Sequence, residues 1–127
     1  MSIKSLIPSL LVENIEKTVE YYTKTLGFSL VTKTPYWAHV SSGNADLYFT
    51  LKENVYSFLP EMKEKDMGGT FTLYISVKEI ELYYNRIREK ITISIPLHTT
   101  PYGMKEFQVK DINGYILDFG EQTESTS

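Results

Sequence analysis

Val12-Glu13-Asn14-Ile15-Glu16 closes an apolar strand and opens a helix, and 65 residues later Val77-Lys78-Glu79-Ile80-Glu81 repeats the junction. Further along, Leu47-Tyr48-Phe49 follows a Gly43-Asn44 turn, and Leu117-Asp118-Phe119 follows an Asn113-Gly114 turn, a shift of 70. A chain of 127 residues that repeats both its strand-to-helix junction and its last hairpin is built from two copies of one unit. Duplication predicts a pseudo-two-fold axis. A site facing that axis would draw equivalent positions from both halves.

Outward from the first junction, residues 3–12 read as a strand, with Leu6, Pro8, Leu10 and Val12 on one face and Ile7, Ser9 and Leu11 on the other. Pro8 has no N–H for a ladder, which places it at an edge or beside a bulge. Asn14 is a good N-cap, and Ile15, Val19, Tyr22 and Leu26 form an apolar stripe at helical spacing until Gly27 stops the helix. Strands are expected near 28–33, 36–42 and 45–51, the last two joined by a Ser42-Gly43-Asn44 turn. Residues 52–68 form a charged link whose Phe58, Leu59 and Met62 suggest packing against something. Its run Glu61-Met62-Lys63-Glu64-Lys65-Asp66 reads as a solvated helical turn.

The second copy starts at Gly69, and Phe71, Leu73, Ile75 and Val77 alternate with Thr70, Thr72, Tyr74 and Ser76. A helix over 79–90 carries Ile80, Tyr84 and Ile87, the counterparts of Ile15, Val19 and Tyr22. Strands near 92–97, 104–110 and 115–120 complete it, and the tail 122–127 is expected to be flexible. The fold class is α+β: two tandem βαβββ modules in a curved, partly open eight-stranded sheet with helices on its outer face. One domain spans 1–121, with repeats at 3–51 and 69–121. The strand faces carrying Leu6, Leu10, Leu47, Phe49, Phe71, Leu73, Ile75, Leu117 and Phe119 should meet the helices.

Composition narrows function mainly by exclusion. A net charge of −3 offers no basic field for nucleic acid. The chain has no cysteine, so thiol nucleophiles, thiolate metal sites and disulfides are excluded. The early apolar run is broken by Ser5, Pro8 and Ser9, too short for a membrane span and without a small-residue cleavage site. A soluble, cytoplasmic protein with no membrane partner is expected. No Gly-rich loop joins a strand to a helix, and no Gly-x-Ser-x-Gly elbow occurs. Aromatic residues reach 13%, with ten Tyr, which suits a cavity for a flat ligand as well as ordinary packing.

Ile7-Pro8-Ser9-Leu10-Leu11-Val12, Tyr21-Tyr22 and Leu26-Gly27-Phe28 resemble the opening of the vicinal-oxygen-chelate superfamily. That superfamily holds glyoxalase I, extradiol dioxygenases, methylmalonyl-CoA epimerase, and the fosfomycin- and bleomycin-resistance proteins. Tyr102-Gly103-Met104-Lys105-Glu106-Phe107, Asp111-Ile112-Asn113-Gly114-Tyr115 and Phe119-Gly120-Glu121 resemble its last hairpin. The resemblance implies the paired-module fold and, in metal-using members, a divalent ion held by four side chains. Transferred by motif, those positions fall on Ile7, Tyr48, Thr72 and Asp118. Ile7 cannot ligate, Thr72 and a protonated phenol at Tyr48 are poor ligands, and Asp118 alone holds a hard cation weakly. No metal and no other cofactor is therefore expected, which weakens the metal-dependent lyase, isomerase and dioxygenase activities together.

Alternation turns Trp37, His39, Glu106 and Gln108 to the face away from the helices, joined by Ser9, Asp46, Thr50, Tyr74 and Ser76. The expected ligand-binding set is Trp37, His39, Tyr48, Thr72, Tyr74, Glu106, Gln108 and Asp118. Aromatic planes and carboxylates suit an aromatic or cationic small molecule. The resemblance to metal-free bleomycin-resistance proteins implies sequestration of such a compound, an antibiotic for example, by a homodimer. An enzyme with His39, Glu106 and Asp118 as a shifted acid-base or metal site is the alternative, and an interaction module with a filled groove is a third. His98, beside Thr99, Thr100 and Pro101, reads as a solvated loop residue, and Glu121 as a rim residue.

Overall fold

The protein, described here as a computed structural model, is defined over residues 2–65 and 71–123. It divides into two compact units, Met1–Met67 and Gly68–Ser127.

In the first unit, β1 (Ser9–Val12) leads into α1 (Ile15–Glu20), which continues as a π-helical turn over Tyr21–Thr25. Asn14 caps α1 through Oδ1, which accepts the Lys17 N–H at 2.8 Å. The expected stripe Ile15, Val19, Tyr22 and Leu26 is buried, and Gly27 ends the helix with φ 92°. Then follow β2 (Ser29–Lys33), β3 (Trp37–Ser42) and β4 (Ala45–Leu51). The sheet order is β1-β4-β3-β2, with β1 parallel to β4 and the other pairs antiparallel. Leu10, Val12, Ala38, Val40, Leu47 and Phe49 form its buried face.

The first strand is shorter than the 3–12 expected. Pro8 gives no N–H and contributes only its carbonyl, which accepts the Tyr48 N–H at 3.0 Å, so pairing begins at Ser9. Leu6 is thus outside the strand and 85% exposed, not a core residue. The link opens with α2 (Lys52–Tyr56) and a 3₁₀ turn over Pro60–Glu64. Val55 is its buried anchor, whereas Phe58 stands 67% exposed. Gly69 and Thr70, the expected start of the second copy, and Asp66 lie outside the described residues.

The second unit runs β5 (Thr72–Ser76), α3 (Ile80–Ile87), β6 (Thr92–Thr99), β7 (Met104–Lys110) and β8 (Ile116–Gln122), with sheet order β5-β8-β7-β6. It repeats the βαβββ order of the first unit, without the π-helical turn. Among the described residues the eight strands are hydrogen-bonded as two sheets of four, not as one ladder of eight. β8 includes Gln122, paired with Met104, so the ordered strand passes the expected start of the tail; residues 124–127 lie outside the described region. Phe71 precedes β5 and is 44% exposed, against the expectation that it faces the helix. His98 lies within β6 and pairs with Glu106, because β6 extends to Thr99; it is a strand residue, not a loop residue.

The two cores fill one space in two ways. In the first, Ala38 pairs with Phe49, and the Tyr22 ring from the helix packs on Phe49 at 4.8 Å. In the second, Phe107 pairs with Phe119 and stacks on it at 4.9 Å, the helix adds Tyr83 at 5.3 Å from Phe119, and Ile87 holds the position equivalent to Tyr22. Aromatic rings cover the β-strand phenylalanine in each unit. The helix supplies the Tyr22 ring in the first, whereas in the second the neighbouring strand supplies Phe107 and the helix adds Tyr83.

The helix caps differ in the same manner. Glu79 stands where Asn14 stands in the first unit, has φ 54°, and makes no side-chain cap. The Glu121 carboxylate, from the end of β8, accepts the Ile80 N–H at 3.1 Å and the Glu79 N–H at 2.9 Å instead. Those two N–H groups hold the Glu121 carboxyl below the usual carboxylate range. The stability it adds is present above that range and is lost as pH falls through its lowered value. Glu121→Gln should therefore flatten the acid limb of a melting-temperature profile while leaving the far-ultraviolet spectrum unchanged. An unaltered limb would show that the cap carries no weight.

Candidate functional site

The face of each sheet turned away from its helix carries the expected polar and aromatic side chains. In the first unit, β3 alternation points Trp37 and His39 away from buried Ala38 and Val40, and β4 does the same for Tyr48 and Thr50. His39 and Tyr48 are register partners, and their rings meet edge to face at 5.0 Å. Trp37 lies 5.0 Å from Tyr48 and 6.3 Å from His39, so the three rings form one cluster. Nε2 of His39 is 2.7 Å from Oδ1 of Asp46. At the edge of the cluster, the hydroxyls of Ser9 and Thr50 bond at 3.1 Å.

In the second unit the equivalent face is acidic. Glu106, Gln108 and Asp118 hold the register positions that Trp37, His39 and Tyr48 hold in the first. Nε2–H of Gln108 donates to Oδ1 of Asp118 at 2.6 Å. Glu106 accepts from two phenols: Tyr74 at 2.8 Å on Oε2 and Tyr102 at 3.3 Å on Oε1. Thr72 lies exposed on the same side of β5, next to Ile116 in register. Tyr102 was not among the expected site residues. The signal was present in the sequence, because the Pro101-Tyr102-Gly103 turn sets a phenol four residues ahead of Glu106.

Tyr74 and Gly120 are the counterparts of Ser9 and Thr50. Where the first unit pairs two small hydroxyl residues, the second lays a large ring over a residue with no side chain. A Cβ at position 120 would run into the Tyr74 hydroxyl. Burial, together with the Glu106 hydrogen bond and charge, pushes the Tyr74 phenol up to about 12. Gly120→Ala should swing this exposed ring aside at little cost in stability and bring its titration back towards the ordinary phenol value of about 10. Ultraviolet titration of phenolate absorbance, with Tyr74→Phe as the reference, reads the shift. An unchanged Tyr74 titration in Gly120→Ala would show that the ring does not depend on that gap.

The positions corresponding to the superfamily's metal ligands do not fit a divalent ion. Ile7 offers only hydrocarbon and precedes the first strand. Tyr48 is packed against two rings, and Thr72 provides one neutral hydroxyl. Asp118 is the sole anion, with an oxygen already bonded to Gln108. Among the described residues, no group of three or more His, Asp or Glu side chains is arranged to hold a metal. His39, Glu106 and Asp118, the acid-base candidates, each have a local partner within their own unit: Asp46, the two phenols and Gln108.

Two βαβββ modules, each with a helix on one sheet face and polar or aromatic side chains on the other, define a paired-module α+β protein. Residues 5–119 match the family described as the Glyoxalase/Bleomycin resistance protein/Dioxygenase superfamily, and the chain belongs to it. Among solved structures, a glyoxalase/bleomycin resistance protein/dioxygenase from Nocardioides aligns with TM-score 0.79 at 20% identity, covering 100% of this chain and 89% of that one. A protein of unknown function from Agrobacterium tumefaciens aligns with TM-score 0.82 at 15% identity, covering 96% of each chain. A bleomycin-binding protein from bleomycin-producing Streptomyces verticillus, solved with copper(II)-bleomycin, aligns with TM-score 0.68 at 18% identity, covering 98% and 99%. At these identities the likeness is one of fold. No curated protein matches the sequence. Among the described residues, no helix is long and apolar enough to cross a membrane.

Proposed function

We propose that this protein binds a small aromatic or cationic molecule without the help of a metal ion. The observation that carries the reading is the Trp37–His39–Tyr48 ring cluster on the helix-free face of the first sheet, with Asp46 beside it. Flat π surface with a few fixed polar groups is what a site for a planar ligand requires, and ring faces with a carboxylate favour a cation. In the second unit Tyr74, Glu106, Gln108 and Asp118 offer hydrogen-bonding and negative groups, with Thr72 at their edge. The poor fit of Ile7, Tyr48, Thr72 and Asp118 to an ion favours binding over the metal-assisted chemistry of other superfamily members. Fold likeness to a bleomycin-binding protein makes bleomycin a compound to test. Resistance by sequestration, a homodimeric state and a cytoplasmic setting belong to the same proposal.

An acid-base enzyme is the second reading, and the His39–Asp46 contact is the observation in its favour. Calorimetry with bleomycin and a panel of planar cations, in chelator, tests the first reading. Saturable binding weakened by Trp37→Ala supports it. Absence of heat with every compound removes the support.

A further inference from the structure

The His39–Asp46 contact also specifies what kind of aromatic ligand the first unit takes, an inference that rests on the binding reading above. An ionised carboxylate only accepts hydrogen bonds, so at 2.7 Å from Asp46 the Nε2 atom of His39 carries the hydrogen. A neutral imidazole has one N–H. In that neutral form the other nitrogen, Nδ1, keeps its lone pair, and among the described residues it has no hydrogen-bond partner. The ring is held by the Tyr48 edge at 85° and by Trp37, with 19% of the side chain exposed. It is neither free to turn nor sealed from a ligand.

We propose that His39 presents Nδ1 as a fixed hydrogen-bond acceptor, and that the ligand stacking on Trp37 and Tyr48 carries an aromatic O–H or N–H donor. Asp46 is then a positioning residue: it sets the tautomer and does not touch the ligand. A ring without a donor would cover Nδ1 and strip its water without replacing the bond, which a partly buried acceptor tolerates poorly. The repeat supports the asymmetry. Gln108 takes the equivalent position in the second unit, where its amide is already donating to Asp118.

Two probe pairs test this by calorimetry or fluorescence quenching of Trp37: 2-naphthol against 2-methoxynaphthalene, and indole against 1-methylindole. Each donor should bind about five- to tenfold tighter than its methylated partner, the ratio expected for one hydrogen bond. His39→Phe should bring both ratios to about one, because it removes the acceptor that only the donor probes satisfy. Nitrogen-15 NMR of the unaltered protein, at mildly alkaline pH, should show the His39 hydrogen on Nε2, and this reading stands even where His39→Phe fails to fold. Equal affinities within both pairs, or a hydrogen found on Nδ1, overturns the donor inference and leaves the aromatic-surface reading in place. A preference confined to one pair narrows the donor to O–H or N–H and supports it. Failure of all four probes to bind overturns both.

Discussion

Phe107→Ala is expected to cost about 3–5 kcal/mol of folding stability, the range for truncating a fully buried aromatic ring. Phe107 is 1% exposed, stacks on Phe119 at an interplanar angle of 17°, and meets Tyr84 at 4.9 Å. Its removal opens a cavity between Phe119 and the Tyr83 and Tyr84 rings of the helix. The first unit shows how the same space is filled when the strand residue is Ala38: the helix supplies the Tyr22 ring. Ile87 is the Tyr22 equivalent, so Ile87→Phe added to Phe107→Ala should recover about 1–2 kcal/mol, a coupling normal for residues sharing one packing site. Ile87→Phe alone should destabilise by overpacking. Urea denaturation of the four proteins in this cycle measures the coupling. A double variant no more stable than Phe107→Ala would mean that the two cores are not alternative solutions to one packing problem.

Trp37→Ala should weaken the binding of a planar cation such as proflavine by about 30-fold or more, the loss of ~2 kcal/mol typical of an aromatic anchor. Trp37 is half-buried on the helix-free face, where its ring meets Tyr48 and His39. The variant should therefore melt close to the parent. That separation matters, because a stacking residue and a structural one both lose function when removed, but only the structural one takes the fold with it. A large fall in melting temperature with binding intact would assign Trp37 to packing.

The repeat made the fold readable. Two shifts, 65 for the strand-to-helix junctions and 70 for the last hairpins, placed both βαβββ modules, and strand alternation assigned Leu10, Leu47, Phe49, Leu117 and Phe119 to the buried faces. Alternation also turned Trp37, His39, Glu106 and Gln108 to the opposite side. Apolar periodicity overshot at Leu6 and Phe71, because a two-residue pattern continues through residues that lack a ladder partner. What periodicity cannot carry is pairing between distant side chains. Glu121 reads as a rim residue because its partners, the Glu79 and Ile80 N–H groups, belong to a helix more than thirty positions earlier. The His39–Asp46 contact crosses a hairpin, and the Tyr74–Glu106 contact joins β5 to β7 over Gly120. Each is a tertiary contact between residue types that serve equally well as solvated surface, so nothing local marks them.

The central claim is that a duplicated scaffold holds its ligand with rings and hydrogen bonds and needs no ion. Proflavine titrated into the purified protein, once in chelator and once with excess manganese or zinc, tests it most directly. The expected result is one saturable affinity, the same in both conditions and weakened by Trp37→Ala. Binding that emerges only when the ion is added, or no binding in either condition, would contradict it.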